Sequence, residues 1–371
     1  MLSHNPLLPK KGAKVVVAMS GGVDSSASAA WLKTMGYQVI GISLQLHDHA
    51  SKVENKFGTC CSLTDIGDAR RVAEKMDIPF YVKNMETEFN ESVIDDFVHE
   101  YLNGRTPNPC VRCNEKVKFS RLMEWSMDLG ADYLATGHFA NVRFNTDSNE
   151  YELCKGVDPA KDQSYFLFTM KQKDLGRTLF PMGGFEKKQV RELARELGLA
   201  VADKPDSQEI CFVQDRSYKD FIEERVPASL LRPGLIVDPQ GRTVGEHPGI
   251  HHFTIGQRKG VGVQSKDPIY VLEVNQERNE VVVGPESFLF KKSCSIAQMN
   301  WVGTPELDKP HGFTAKIRYR AKESPVVVRP VLDNRVEILF TEPQRAITPG
   351  QALVLYKEDR LVGGGWIETV A

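Results

Sequence analysis

Residues 14–36 read KVVVAMSGGVDSSASAAWLKTMG. The opening valine run does not alternate with polar residues, which is the pattern of a strand buried on both faces. From Val23 to Met35 the composition suits a helix, and Gly36 is its stop signal. Between strand and helix lies Ser20-Gly21-Gly22. Two glycines let the backbone turn tightly and bring its N–H groups against an anion. The start of the helix adds unpaired donors and partial positive charge. This is a phosphate loop in its proper strand–loop–helix setting. It lacks the G-K-[ST] ending of a Walker A loop and is not a G-x-G-x-x-G dinucleotide loop. Asp24 would repel phosphate unless a cation stood between them, which points to Mg²⁺.

Working outward, YQVIGIS and PFYVKNM are expected strands, and ADYLATGH contains a further short one. Helices are expected over Leu63 to Met76, over Glu86 to Leu102, and in KKQVRELARELG, which Gly198 stops. Strands alternating with helices predict a parallel sheet covered on both faces, an α/β Rossmann-like fold. From about Pro227 the texture changes to short β-branched runs (YVLEVN, EVVVG, VVVRPVL, RVEILF, ALVLY) separated by Gly, Pro, Asn and Asp. These predict a small barrel or sandwich. The expected division is a catalytic domain over 1–215, a small central domain over 216–283 and a C-terminal β-barrel over 284–371.

The 371 residues are 41% hydrophobic and 26% charged, a globular composition. No window approaches the roughly 18 apolar residues of a membrane span. The N-terminal stretch has no small-residue cleavage site, so a secretory signal is not expected and a cytoplasmic location is. A net charge of −2 gives no global attraction to nucleic acid, so any RNA binding would have to come from local basic patches. Seven cysteines, an odd number, do not form a secreted disulfide framework.

Cys110 and Cys113 lie in Asn108-Pro109-Cys110-Val111-Arg112-Cys113-Asn114, just after Thr106-Pro107. The two prolines predict an exposed loop, and Arg112, Lys116 and Lys118 would favour thiolate. Cys211 follows in DSQEICF. Structural zinc needs four ligands, and no second C-x-x-C is present. A thioredoxin-type pair would open a helix after a strand, without a proline-rich lead-in. The third reading is sulfur transfer, with one cysteine bearing a persulfide and another helping to release it. The cysteines alone do not choose among these; the phosphate loop favours the third.

SGGVDS resembles the pyrophosphate loop of the N-type ATP pyrophosphatases, which adenylate a carbonyl oxygen. In order, SGGVDS, GRTPNPCVRCN-x-x-VKF, ATGHFA, KDQSYFLF and DSQEICF resemble the bacterial tRNA-specific 2-thiouridylases, and TIGQRKG, KIRYR, ITPGQ and GGGWI extend the match to the end of the chain. The resemblance implies ATP-dependent formation of 2-thiouridine at the tRNA wobble position. It implies an ATP site from Ala18, Met19, Ser20, Gly21, Gly22, Val23, Asp24, Ser25, Leu44 and Gly137, with Mg²⁺. It makes Cys113 the nucleophile and Cys211 the persulfide carrier, and it carries the expectation of a disulfide. It places His138, Lys161, Asp162, Gln163, Arg318, Tyr319 and Gln351 against tRNA. An upstream sulfur carrier or cysteine desulfurase would supply the sulfur. Some members have aspartate where Cys110 stands, with a proton-transfer role that a cysteine fills less well. Cys110, Cys113 and Cys211 also resemble the set with which related RNA thiolases hold a [4Fe–4S] cluster. That alternative stands beside the persulfide route.

Two further classes fit the sequence less well. An amidotransferase-type synthetase would need a glutaminase and would leave the cysteines idle. A tRNA chaperone with a degenerate nucleotide fold would not need an intact SGGVDS loop. Among the remaining residues, Cys60-Cys61 is read as packing, and Cys154 and Cys294 as buried thiols. Phe166 and Phe168 are read as core. His251-His252 lacks a third ligand at useful spacing and is read as a loop or an RNA-facing pair. In KIRYR, strand alternation would put Arg318 and Tyr319 on opposite faces. If both contact RNA, the strand must be irregular or end there.

Overall fold

The computed structural model describes residues 10–46, 63–206, 210–213, 216–303, 312–331 and 335–371. Cys60, Cys61 and residues 207–209 of the DSQEICF stretch lie outside the described residues. The strands β1 (Lys14–Ala18), β2 (Gln38–Gln45), β3 (Phe80–Asn84) and β4 (Tyr133–Ala135) form the parallel sheet expected of the N-terminal half. A hairpin of β5 (Ala140–Asn145) and β6 (Glu150–Lys155) then leaves that sheet, and β7 (Thr178–Leu179) returns to its edge. The sheet order is β3-β2-β1-β4-β7. The valine run fills both faces. Val15 and Val17 pack with α1 (Val23–Thr34), α2 (Leu63–Lys75) and the helix Lys187–Glu196. Val16 faces the opposite cluster, with Phe89, Val93 and Phe97 from residues 86–102. That helix is continuous but contains a π turn, Asn90–Ile94, between its α-helical ends.

The segment expected as a proline-rich loop is instead a helix start. Pro109 occupies the first turn, where its missing N–H costs nothing because that donor has no intrahelical partner. The Asn108 side chain caps the turn by accepting from the Val111 N–H at 3.3 Å. The helix runs on through a π-helical stretch, Cys113–Leu122. Such stretches are rare and concentrate at functional sites.

The strands β8 (Gly234–Val237), β9 (Thr243–His247), β10 (Tyr270–Asn275) and β11 (Glu280–Gly284) form a central sheet in the order β10-β11-β8-β9. The C-terminal strands are β12 (Phe290–Trp301), β13 (Gly312–Lys316), β14 (Ser324–Val331), β15 (Arg335–Arg345), β16 (Ala352–Lys357) and β17 (Arg360–Val370). Their order is β12-β15-β14-β13-β16-β17, and β12 pairs with β17 to close a barrel. The start of β17 also pairs with β6, at Arg360↔Cys154 and Leu361↔Leu153. The N-terminal half therefore lends a hairpin to the C-terminal barrel. The helix Tyr218–Glu223, which the expected boundaries assign to the central domain, buries Phe221 and Ile222 in the cluster of Phe97 and Phe212. Both features are pairings over long sequence distances, which local pattern does not encode. Among the described residues, no helix is long and apolar enough to cross a membrane.

Candidate active site

The phosphate loop is held open by its own backbone. Gly21 has φ 74°, and a Cβ there would lie 2.1 Å from the Asp65 carbonyl oxygen, so only glycine fits. Gly22 caps α1 without any side-chain cap bond, leaving the first-turn N–H groups facing outward. The Ser20 N–H donates to Ser25 Oγ at 3.1 Å, and the two hydroxyls lie 3.2 Å apart. Lys204 donates to the Gly21 carbonyl at 3.0 Å and pairs with Asp65 and Asp68, fixing the loop to α2. Ser26 Oγ is buried and lacks a hydrogen-bond partner among the described residues. Leu44 lies at the end of β2 and Gly137 just after β4, the strands flanking β1. A Cβ on Gly137 would come within 2.6 Å of the Ser25 nitrogen. Ala18, Met19, Ser20, Gly21, Gly22, Val23, Asp24, Ser25, Leu44 and Gly137 thus gather along the carboxyl ends of three adjacent strands, where open α/β sheets bind ligands.

One residue of this site gave no sequence signal. Lys187, 8% exposed, begins the helix Lys187–Glu196, whose composition reads as a solvated surface. Its ammonium lies 2.7 and 2.8 Å from the Asp24 carboxylate oxygens and 2.8 Å from Asp206. The Asp24 carboxylate, expected to meet phosphate through a cation, is paired with this lysine. Burial raises the Asp24 pKa despite that lysine. Asp206 also receives Lys161 at 2.8 Å and Arg191 at 3.1 Å. Burial pushes the Asp206 carboxyl up, but Lys161 and Lys187 outweigh it and hold the group below its usual range. Asp206 opens the stretch that carries Cys211, so an ion-pair chain joins the phosphate loop to that segment.

Cys110 is exposed at the start of the helix and Cys113 is partly buried one turn on. Cys113 and Cys211 pack against the same hydrophobic cluster. Phe212, next to Cys211, sets its ring against Phe97 and Phe221, each with centroids 5.1 Å away. Arg112, between the two cysteines of this motif, pairs with Asp96 at 3.3 Å and Glu115 at 3.1 Å and stacks over Trp366 at 4.0 Å. Lys116 likewise pairs with Glu115 at 2.9 Å. Cys154 and Cys294 are buried thiols whose pKa burial pushes up to about 12.

The C-terminal barrel reaches the cysteine helix directly. Gln351 Nε2 donates to the carbonyls of Thr106, at 3.1 Å, and Pro107, at 2.9 Å. The Thr106 N–H donates to the Pro349 carbonyl at 2.9 Å. Tyr319 lies against Phe166, with ring centroids 4.5 Å apart, and Asn114 Nδ2 donates to the Phe166 carbonyl at 3.0 Å. β13 ends at Lys316, and a turn with the Ala321 N–H donating to the Arg318 carbonyl follows. The irregularity expected in KIRYR is this strand end, with Arg318 exposed and Tyr319 half-buried. Phe168 is core and Phe166 packs against it. Of the residues expected against tRNA, Lys161 is bound to Asp206 and Gln163 Oε1 accepts from the Phe139 N–H. Asp162 is 4% exposed and accepts from the Gly156 and Ser164 N–H groups and the Ser164 hydroxyl. Its carboxylate holds the turn together from inside. His138 shares a 2.7 Å hydrogen bond with Thr136 and sits near Phe119 and Phe180; burial, with Lys118 nearby, holds its pKa well below the usual value.

The glycine loop at the carboxyl edge of a parallel sheet defines an α/β domain of the nucleotide-binding class, with Cys113 and Cys211 packed on one hydrophobic cluster of the same half. Comparison with known proteins narrows this. Residues 13–215 match the family model described as the tRNA methyl transferase HUP domain, 219–285 the tRNA methyl transferase PRC-barrel domain, and 291–367 the aminomethyltransferase beta-barrel domain. The chain is 53% identical over 361 residues to the tRNA-specific 2-thiouridylase MnmA of Geotalea uraniireducens (strain Rf4), covering 96% of each chain. It is 50% identical to that of Geobacter metallireducens, again covering 96% of each. Against that of Carboxydothermus hydrogenoformans it is 48% identical, covering 96% of this chain and 97% of the relative. The chain belongs to the tRNA-specific 2-thiouridylase family.

Proposed function

We infer that this chain is an ATP-dependent tRNA sulfurtransferase that makes 2-thiouridine at the wobble uridine. The observation that carries the reading is the presence, in one domain, of an uncapped glycine-built anion loop and the Cys113/Cys211 pair, in a chain 53% identical to a 2-thiouridylase over 96% of its length. Methyl transfer, the phrase in two of the family-model descriptions, leaves both features without a task.

Uracil O2 is a poor leaving group until it is adenylated. Attack of O2 on the ATP α-phosphorus breaks the α–β bridge and releases pyrophosphate, whose charge the α1 N–H groups, and Lys187 once it turns from Asp24, would receive. The terminal sulfur of a Cys211 persulfide then adds to C2. The Cys113 thiolate attacks the inner sulfur of that persulfide, and the sulfur–sulfur bond breaks. The C2–O bond breaks as AMP leaves, giving C2=S and a Cys113–Cys211 disulfide that an external dithiol must reduce. Mg²⁺ with ATP belongs to this proposal. Asp24 is the carboxylate that fits it, provided Lys187 turns to the phosphates. A protein sulfur donor would reload Cys211, and a cytoplasmic setting suits that exchange. Lys161, Gln163, His138, Arg318 and Tyr319 are proposed to face tRNA, and the wobble base must leave its stack to reach the cysteines.

The [4Fe–4S] alternative differs in needing Cys110. Cys110 and Cys113 are three residues apart at a helix start and so share a face, which fits cluster ligation too. ATP–pyrophosphate exchange stimulated by tRNA tests the main reading: exchange that requires tRNA supports it, and exchange indifferent to tRNA refutes it.

A further inference from the structure

The His251-His252 pair, without a third ligand in sequence, acquires one in space. Both histidines lie in the 3₁₀ turn Ile250–His252, and Glu223 ends the helix Tyr218–Glu223. His252 Nε2 lies 2.7 Å and His251 Nε2 3.2 Å from the same oxygen, Glu223 Oε1. All three ligand atoms fall within 4.8 Å of one another. We propose that Glu223, His251 and His252 form a site for a divalent transition-metal ion of the zinc class, clipping the helix that follows the Cys211 segment to the central domain.

The geometry is built rather than incidental. A Cβ on Gly249 would lie 2.4 Å from His251 Cε1 and 2.6 Å from its Nδ1, so the glycine is what lets this ring lie against the backbone. The two rings stand at 81° with centroids 4.5 Å apart, so their Nε2 edges converge instead of stacking. Glu223 is anchored by its own helix, where Phe221 and Ile222 are fully buried. Tetrahedral zinc with bonds of about 2.0–2.1 Å separates its ligand atoms by about 3.4 Å. The observed nitrogen–oxygen separations of 2.7 and 3.2 Å need to open by less than an ångström. Without an ion, a single carboxylate oxygen must accept from both rings. With one, each Nε2 lone pair and the carboxylate point at a common cation. Two imidazoles and one carboxylate select zinc-like ions over Mg²⁺ or Ca²⁺, which take oxygen ligands. His251 is buried while Glu223 is exposed at 39%, so the ion enters from the Glu223 side and a water completes its shell, giving an open site of three protein ligands rather than a closed four-ligand structural one. The site lies apart from the residues assigned to thiolation and does not depend on that assignment.

Cys110, Cys113 and Cys211 could also take zinc, so the test removes these three. Full-length chain carrying Cys110→Ser, Cys113→Ser and Cys211→Ser is stripped with chelator and titrated with Zn²⁺ by calorimetry, with melting curves in parallel. One zinc per chain and a zinc-dependent rise in Tm are expected. Adding His252→Ala or Glu223→Gln, both at partly exposed positions, should weaken binding by at least about tenfold and remove the rise, with the chelated Tm close to that of the parent. Absence of stoichiometric zinc in the parent, or binding indifferent to both substitutions, overturns the proposal.

Discussion

Removing the Lys187 ammonium would leave Asp24 and Asp206 facing each other across a largely buried gap. Lys161 and Arg191 still neutralise Asp206, so the cost falls on Asp24. Lys187→Met is expected to destabilise the fold by about 3 kcal/mol and to abolish tRNA-stimulated pyrophosphate release, as measured by denaturant unfolding and by exchange. The pH dependence has a definite sign. Burial raises the Asp24 pKa above its unfolded value, so the folded chain binds this proton more tightly. Stability associated with that proton is present at low pH and lost as pH rises through the folded pKa. The deficit of Lys187→Met should therefore shrink on acidification. A deficit independent of pH would mean that Asp24 is not the group left exposed to the loss. The cysteines divide in the same residue-by-residue way. Alkylation of the native chain near pH 8 should label exposed Cys110 and spare Cys154 and Cys294, which are buried and hold their protons to about pH 12. Cys113→Ser and Cys211→Ser should each eliminate thiolation. Cys110→Ser should keep substantial activity on the persulfide route and lose it, together with iron, on the cluster route.

At the scale of elements, the valine run of β1 was legible because a short β-branched run ending in a Gly-Gly turn fits a buried strand better than a helix, and Gly36 and Gly198 stop their helices as expected. The cysteine helix was not legible. Prolines flanking a short motif suggest a loop, and only the backbone shows that Pro109 sits at the one helical position that tolerates it. The ion pairs of Lys187 and Arg112 were hidden for a related reason: charged residues on an amphipathic helix look alike whether they face water or a buried carboxylate. KIRYR was legible in its consequence, since opposite-facing neighbours could share a partner only at a strand end, and β13 ends at Lys316. Arg318→Ala should weaken tRNA binding and lower the salt slope by about one phosphate contact. Unchanged affinity and slope would remove this turn from the RNA surface.

For the whole molecule, the three regions are less separable than the sequence suggests. The β5–β6 hairpin extends the C-terminal barrel, and Gln351, Pro349 and Trp366 of that barrel hold the residues around Cys110 and Cys113. The barrel therefore braces the cysteine helix directly. Gln351→Ala should slow single-turnover thiolation more than it weakens tRNA binding, because its amide holds the Thr106 and Pro107 carbonyls. A loss confined to affinity would make Gln351 an RNA contact instead. The central claim is that sulfur carried on this chain replaces an oxygen activated by ATP. The most direct measurement loads Cys211 with radioactive persulfide sulfur, removes free sulfide, and follows one turnover with ATP and a wobble-uridine tRNA. The account predicts one labelled sulfur transferred per active chain to the wobble base, with one AMP and one pyrophosphate formed. Labelled thiouridine without AMP, or AMP formed while the label stays on the protein, would contradict it.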